Sequence, residues 1–327
     1  MNDATVTIVT PSFNQGRFIG ETIESVISQE GDFLLEYLIM DGGSTDNSVE
    51  VIKKYEDLLK GGGWPVRCRG IEYRWVSVKD NGQADAINKG FMASKGETLA
   101  WLNSDDVYLP GAVEMGVGFL RKNPEYGMVY GKGYNIDEDG LVLEACPAGK
   151  FDINSLAVTN FISQPSAFFT RTAYLESGGL DTGLHYTLDL DLWVRIAKRF
   201  RVGFIEEFLS SARLHREAKT VAEKHALKCH EELIKTVVKY WGWAPANHVF
   251  GYCLEMLKSR VPHAVRALPG SKAAMVLCSL PISLFYYLWL NKGIRLRDMK
   301  MLTASNIKGI FAGWKGSRDA MREGRRS

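Results

Sequence analysis

A chain of 327 residues, 46% of them apolar and 24% charged, has the composition of one large folded domain with an appendage, which excludes a disordered or fibrous chain. The net charge of +2 conceals an asymmetry: residues 258–327 hold 14 Lys and Arg against 3 acids, a local +11, so residues 1–257 carry −9 and only the tail suits an anionic surface. Five scattered cysteines without a CxxC pair exclude a disulfide framework and point to a reducing cytosol.

Polar Asn2 and Asp3 lead straight into a strand-like segment with no signal-peptide pattern, so the chain is expected to stay on the cytosolic side. TVTIVTP (Thr5 to Pro11) reads as a buried strand, and Phe18, Ile19, Ile23, Val26 and Ile27 follow at helical spacing. EYLIM (Glu36 to Met40) returns to strand. Ser44 is then expected to cap a helix carrying Val49, Ile52, Tyr55 and Leu59. IEYRWVSV (Ile71 to Val78), a helix over residues 84–92 and the strand TLAWL (Thr98 to Leu102) continue the alternation that marks helices layered on a parallel sheet. From residue 127 the expected strands are shorter, with a hairpin turn at Asp137 to Gly140 and a clear strand at SAFFT (Ser166 to Thr170). Helices are expected over about residues 190–199 and 218–241, and Pro245 marks a boundary. The expected domains are therefore residues 1–240 and a helical, basic region over 241–327.

Each early strand ends in a polar cluster, and open α/β sheets bind ligands outside the carboxyl ends of their strands. Asp105 and Asp106 follow a strand directly, as a site for a hard divalent cation bridging a diphosphate would require. The same pair also reads as a solvated turn that caps the next helix. DGGSTDNS (Asp41 to Ser48) has glycines where backbone approaches a ligand and a helix start that favours anions, although any strand-to-helix loop has this look. Other nucleotide chemistries lack their signatures. SFNQG stands where a dinucleotide enzyme needs GxGxxG, and GxxxxGK[ST] is absent.

PSFN (Pro11 to Asn14), DGGSTD (Asp41 to Asp46), the stretch from Asp80 to Asp106, SQPSAFFTRTAYLESGGLD (Ser163 to Asp181), LDLDLWVRIAKR (Leu188 to Arg199) and RLHREAKT (Arg213 to Thr220) together resemble the family 2 glycosyltransferases of the GT-A fold. The resemblance implies an α/β nucleotide-sugar-binding fold, a Rossmann-like mixed sheet between helices, with a C-terminal helical appendage. It implies a donor nucleotide contacted by Pro11, Phe13, Asn14, Asp41, Ser44, Asp80, Gln83, Asp85, Asn88, Lys89, Asn103, Ser104 and Asp105. It further implies Mn²⁺ or Mg²⁺ at Asp105, Asp106 and His215, with Asp189 as the general base of an inverting transfer and Gln164 and Asp191 on the acceptor side. Asn103 departs from the family, many of whose members carry Asp there. The QxxRW motif of processive synthases is missing, because the only Arg-Trp pair, Arg74 and Trp75, precedes the metal motif. Single addition of a sugar to a saccharide or polyprenyl-diphosphate-linked acceptor in surface-polysaccharide synthesis is thus the leading expectation. A non-catalytic nucleotide-sugar-binding module and a polyprenyl-phosphate glycosyltransferase are the alternatives.

The tail adds a location. Residues 273–290 are uncharged, just under the ~20 that span a bilayer, and Pro281 and two serines are expected to interrupt them. A span would send the more basic flank outward, against the positive-inside bias, so a re-entrant or in-plane segment on the cytoplasmic face of an anionic inner membrane is expected. Met299, Leu302, Ile310, Phe311 and Trp314, interspersed with basic residues, extend that pattern. A true span and a core or dimer helix without lipid contact stay open, and nucleic acid is not expected as a partner.

Overall fold

The run TVTIVTPS is apolar on both faces and forms β1 (Thr5–Ser12), in which Val6, Ile8 and Val9 are fully buried. The structure, a computed structural model, describes residues 5–218, 223–266 and 268–295. After β1 come α1 (Ile19–Ile27), β2 (Leu34–Asp41), α2 (Ser48–Lys60), β3 (Gly70–Ser77), α3 (Gln83–Met92), β4 (Thr98–Trp101), β5 (Val107–Tyr108) and α4 (Ala112–Lys122). The chain continues through β6 (Tyr126–Ile136), β7 (Val142–Ala145), α5 (Ile153–Leu156), a 3-10 turn at Gln164–Ser166, β8 (Ala167–Thr170), α6 (Arg171–Glu176), α7 (Leu188–Ala197) and β9 (Arg201–Arg213).

These strands make one nine-stranded mixed sheet in the order β3-β2-β1-β4-β8-β6-β9-β5, with β7 paired to β6. β1 to β4 are mutually parallel, and β8 is inserted antiparallel between β4 and β6. The register aligns Ser12 with Asp41 and Asp41 with Ser77, so three strands end on one line. Helix α3 approaches this edge closely because residue 90 is glycine. A Cβ there would lie 2.7 Å from Val9 Cγ1. The main core joins the inner faces of β1, β2 and β4 to α1, α2 and α4, with Phe168 and Tyr108 stacked at 5.7 Å.

Several expectations change. β6, in the region where short strands were expected, has 11 residues, and β9, which the sequence reading left unassigned, has 13; they pair in parallel through repeated register shifts that bend them. Helix α4, which sequence periodicity left unassigned, covers the sheet through Val113, Val117 and Leu120. Helix α2 starts at Ser48 rather than behind Ser44, which is engaged elsewhere.

The chain divides into two units, Met1–Ala218 and Lys219–Ser327, so the boundary falls before the helix that had been expected to close the first domain. The second unit contains α8 (Glu223–Trp241), α9 (Ala246–Arg260), α10 (His263–Arg266) and α11 (Ser271–Asn291), and α8, α9 and α11 pack around Ile234, Val249, Cys253 and Tyr287. α11 runs unbroken through Pro281. Ser279 and Ser283, expected as interruptions, donate their hydroxyls back to the carbonyls of Val276 and Ser279. The apolar residues from Met299 to Trp314 lie outside the described residues.

Candidate active site

Two loops at the carboxyl edge are built against each other. Asp41, 1% exposed at the end of β2, accepts the backbone N–H groups of Gly43 (3.1 Å) and Ser44 (2.9 Å) and the hydroxyls of Ser44 and Ser77 (2.6 Å). Its carboxylate therefore shapes the DGGSTD turn. Ser44 Oγ also receives the Asn14 N–H at 2.8 Å, which is why this serine caps no helix. Asn14 adopts the left-handed conformation (φ 53°), turns the chain after β1 and accepts the Thr45 N–H at 2.8 Å. Asp46 accepts the Gly16 N–H at 2.9 Å and the Ser48 N–H at 3.0 Å. Burial raises its pKa, but these bonds and the Ser48 hydroxyl outweigh that and hold it below the usual carboxylate range. The ring of Phe13 is left 59% exposed beside this wall, while Pro11 stays buried in β1.

The second cluster separates two carboxylates that the sequence treats alike. Asp105 Oδ2 lies 2.9 Å from His215 Nε2, within hydrogen-bond distance. The His215 ring packs 4.9 Å from Phe18. Asp106 turns inward, 5% exposed, where Oδ1 accepts the Arg213 N–H (2.9 Å) and Oδ2 the Asn103 side-chain amide (3.0 Å). Burial first and the charge of Asp105 second push its pKa well above the ordinary value, only partly offset by those donors. Asp106 was expected beside Asp105 at a metal, and here each of its oxygens accepts one hydrogen bond from within the protein. The Asn103 side chain also explains its departure from the family: an Asp there would remove the donor to Asp106 and add a third charge.

Asn103 heads a chain of amides. Gln83 Nε2 donates to Asn103 Oδ1 (2.7 Å), Asn103 Nδ2 donates to Gln164 Oε1 (3.1 Å), and Gln164 Nε2 donates to the carbonyl of Trp101 (2.9 Å). Ser104 is buried beside them. Farther along the edge, Asp80 accepts the Gly82 N–H (2.8 Å), and Asp85 accepts the Asn81 N–H (3.0 Å) and pairs with Lys89 (2.7 Å).

Asn88 receives Leu180 N–H (3.0 Å) and the Tyr174 hydroxyl and donates to Leu180 O (2.9 Å), so it clamps α3 to the turn after α6. Asp191, expected on the acceptor side, is fully buried and paired with Arg195 at 2.6 and 2.8 Å within α7. Asp189, in the first turn of α7, is partly exposed and accepts the Asn160 side-chain amide at 3.0 Å. It shares a helix face with Trp193, four residues on, whose ring stacks 5.2 Å from Trp101 at the end of β4. That stack ties the start of α7 to the strand that leads into Asn103–Asp106. Sequence reasoning passed over Asn160, which lies in no motif, and gave Arg213 no role although it opens RLHREAKT; both become visible through these contacts.

Asp105 and His215 offer one hard oxygen and one nitrogen, donors that would suit a divalent cation such as Mn²⁺ or Mg²⁺. Among the described residues no group of three or more His, Cys, Asp or Glu side chains is gathered as a metal site.

The family model described as "Glycosyl transferase family 2" matches residues 7–178. An uncharacterized glycosyltransferase of Rickettsia felis is 28% identical over 222 residues, covering 65% of this chain and 34% of its own length. Another, of Rickettsia prowazekii, is 25% identical over 236 residues, covering 70% of each. Chondroitin synthase of Escherichia coli is 22% identical over 250 residues, covering 75% of this chain and 35% of that protein. The chain thus spans about a third of the length of the first and third of these relatives. Among solved structures, a segment of S. aureus TarS in complex with UDP-GlcNAc superposes with a TM-score of 0.56 at 11% identity, covering 88% of this chain and 90% of that one. Mannosyltransferase PcManGT from Pyrobaculum calidifontis, in complex with GDP-Man and Mn²⁺, gives 0.53 at 16% identity, covering 91% and 88%. At these identities the likeness shows the fold, which is GT-A.

Proposed function

The chain belongs to glycosyl transferase family 2, and from that premise we propose that it is an inverting, metal-dependent enzyme that moves one sugar from a nucleotide-diphosphate donor to a lipid-carried saccharide acceptor. The observation that carries the metal-dependent donor reading is the Asp105–His215 pair at 2.9 Å, beside the loops built on Asp41 and Asn14. Asp105 and His215 would hold the divalent ion, which when bound neutralises the charge that develops on the leaving diphosphate. Asp106 takes no part in that contact. It fixes the backbone at Arg213 and the amide of Asn103, so that the pair is set from beneath. Asp41 keeps the DGGSTD turn in shape and Phe13 offers an open ring to the base. Gln83 and Gln164 hold Asn103 in the orientation that Asp106 needs.

For the acceptor, Asp189 is the residue suited to deprotonate a hydroxyl, since it is partly exposed at a helix start and Asn160 orients one of its oxygens. A positioned base of this kind contributes ~10²- to 10⁴-fold in rate. Inversion follows from a single displacement in which Asp189 removes the proton as the hydroxyl attacks and the nucleoside diphosphate leaves.

The second unit supports a lipid-carried acceptor. α11 is long and apolar enough to cross a membrane, yet Met275, Ser279, Ser283 and Tyr287 are buried in its own unit. Leu277, Leu280, Leu284, Phe285 and Trp289 are exposed, each by half or more. Its neighbour α9 carries the partly buried Glu255–Lys258 ion pair, which is costly to immerse in hydrocarbon. An in-plane helix that dips only its free face, with Lys272, Lys292 and Arg295 at its ends, satisfies both facts. This reading puts the protein at the cytoplasmic face of an anionic membrane.

The test is thermal stabilisation by a panel of UDP-, GDP- and dTDP-sugars with and without Mn²⁺, for the wild type and Asp105→Ala. A metal-dependent shift in the wild type that Asp105→Ala abolishes supports the proposal. Donor binding indifferent to both metal and Asp105 overturns it.

A further inference from the structure

Arg213 is the last residue of β9 and its side chain is 1% exposed. Its guanidinium is spent on four groups from three parts of the fold. Nε donates to the carbonyl of Asp105 (3.0 Å), Nη1 to the carbonyls of Asp137 (3.3 Å) and Glu138 (3.0 Å) in the hairpin turn, and Nη2 to the Glu21 carboxylate of α1 (2.5 Å). Its backbone N–H is the donor held by Asp106 Oδ1. The face of Phe18 covers it at 5.1 Å, and the same ring touches His215. One residue therefore grips Asp105 by its carbonyl, Asp106 by its carboxylate, and the strand that ends two residues before His215.

We propose that Arg213 is the positioning residue of the Asp105–His215 pair, setting the separation and orientation in which the two side chains accept a divalent cation. The inference deepens the metal reading above and rests on it. A buried guanidinium is suited to the task because its planar fork spans several acceptors at once, whereas an ammonium on a flexible stem is a point donor that cannot reach all of them. The Asp105 carbonyl and the His215 ring lie on separate chain segments, and Arg213 with Phe18 links both to the same anchor on α1. Groups that orient metal ligands from behind typically change metal affinity ~10- to 100-fold when replaced.

The experiment measures Mn²⁺ affinity of the full chain by electron paramagnetic resonance of the free ion, with UDP at saturation, which needs no turnover. Arg213→Lys should weaken Mn²⁺ binding ~10- to 100-fold. Arg74→Lys is the control for lost stability alone, since Arg74 pairs with buried Glu36 and with the carbonyl of Ala93, away from the pair. It should keep wild-type affinity. Equal Mn²⁺ affinity in wild type and Arg213→Lys, or equal weakening in both variants, overturns the inference. If Arg213→Lys does not fold, Glu21→Gln tests the same anchor from its exposed end, where a loss of about threefold or more supports the inference and unchanged affinity overturns it. A wild-type chain that binds no Mn²⁺ in the presence of UDP overturns the metal reading and this inference together, whereas wild-type binding with an indifferent Arg213→Lys removes only the latter.

Discussion

Replacing Asp41 by Asn tests whether this carboxylate organises the DGGSTD turn. Oδ2 receives three donors, the N–H groups of Gly43 and Ser44 and the Ser77 hydroxyl, and Oδ1 receives the Ser44 hydroxyl. The substituted amide would keep an oxygen for the first three while losing their charge assistance. Bonds to charged groups contribute ~1.5–3 kcal/mol against ~0.5–1.5 for neutral ones, so about 1 kcal/mol is lost at each. The fourth contact becomes two donors facing each other unless the Ser44 hydroxyl turns away. The sum is about 3 kcal/mol if each loss is complete, and roughly 2 kcal/mol once the turn relaxes. Urea unfolding followed by tryptophan fluorescence reads this as a lower midpoint at unchanged slope. Donor binding should weaken in parallel, because Ser44 also holds the Asn14 N–H at the start of the facing loop. An Asp41→Asn protein with the wild-type midpoint and wild-type nucleotide affinity would refute the idea that this buried carboxylate builds the site.

Glu36 supplies a pH prediction for the fold. It is buried in β2, and although burial raises its pKa, hydrogen bonds from Thr7, Lys95 and Gly96 and the Arg74 guanidinium outweigh that and hold it below the ordinary value. A depressed folded pKa contributes stability that is fully present above the unfolded pKa and is lost as pH falls through the folded one. The stability difference between wild type and Glu36→Gln should therefore be constant near neutrality and shrink below the usual glutamate range, and a difference independent of pH contradicts the assignment. For the second unit, Leu284→Glu with Phe285→Glu should abolish flotation with anionic vesicles while leaving the helical circular dichroism unchanged. Wild-type protein that floats with neither anionic nor neutral vesicles removes the membrane reading, and resistance to carbonate extraction replaces the in-plane helix with a span.

The parallel half of the sheet was legible because β1, β2 and β4 are short, largely apolar runs closed by polar clusters and β3 is rich in β-branched and aromatic residues, and the register then brings Ser12, Asp41 and Ser77 onto one line. β6 and β9 were not legible at their true length. Their glycines and charged residues break the alternation, and the bent parallel pairing that accommodates them is a tertiary fact. Within the candidate site, residue types marked the loops at the sheet edge but could not tell which side chains the protein's own hydrogen bonds engage. Asp105 and Asp106 are adjacent and chemically identical, yet one meets His215 and the other an Arg213 N–H and the Asn103 amide. Asp189 and Asp191 divide the same way, since two residues along a helix is a turn of about 200°, which sends Asp191 inward to Arg195. Ser44 looked like a helix cap because its position before an apolar periodic run fits that role, but Asp41 competes for its hydroxyl.

The central claim, transfer with Asp189 as the base, is tested most directly by measuring donor dissociation constant and single-turnover transfer for Asp189→Asn with Mn²⁺ at saturation. Asn keeps the size of the side chain and can still meet the Asn160 amide through its own oxygen, but it cannot take a proton from the acceptor hydroxyl. The account predicts donor affinity close to wild type and a transfer rate lower by ~10²- to 10⁴-fold. Transfer at near the wild-type rate would contradict it and leave Asp189 as a residue that only opens α7.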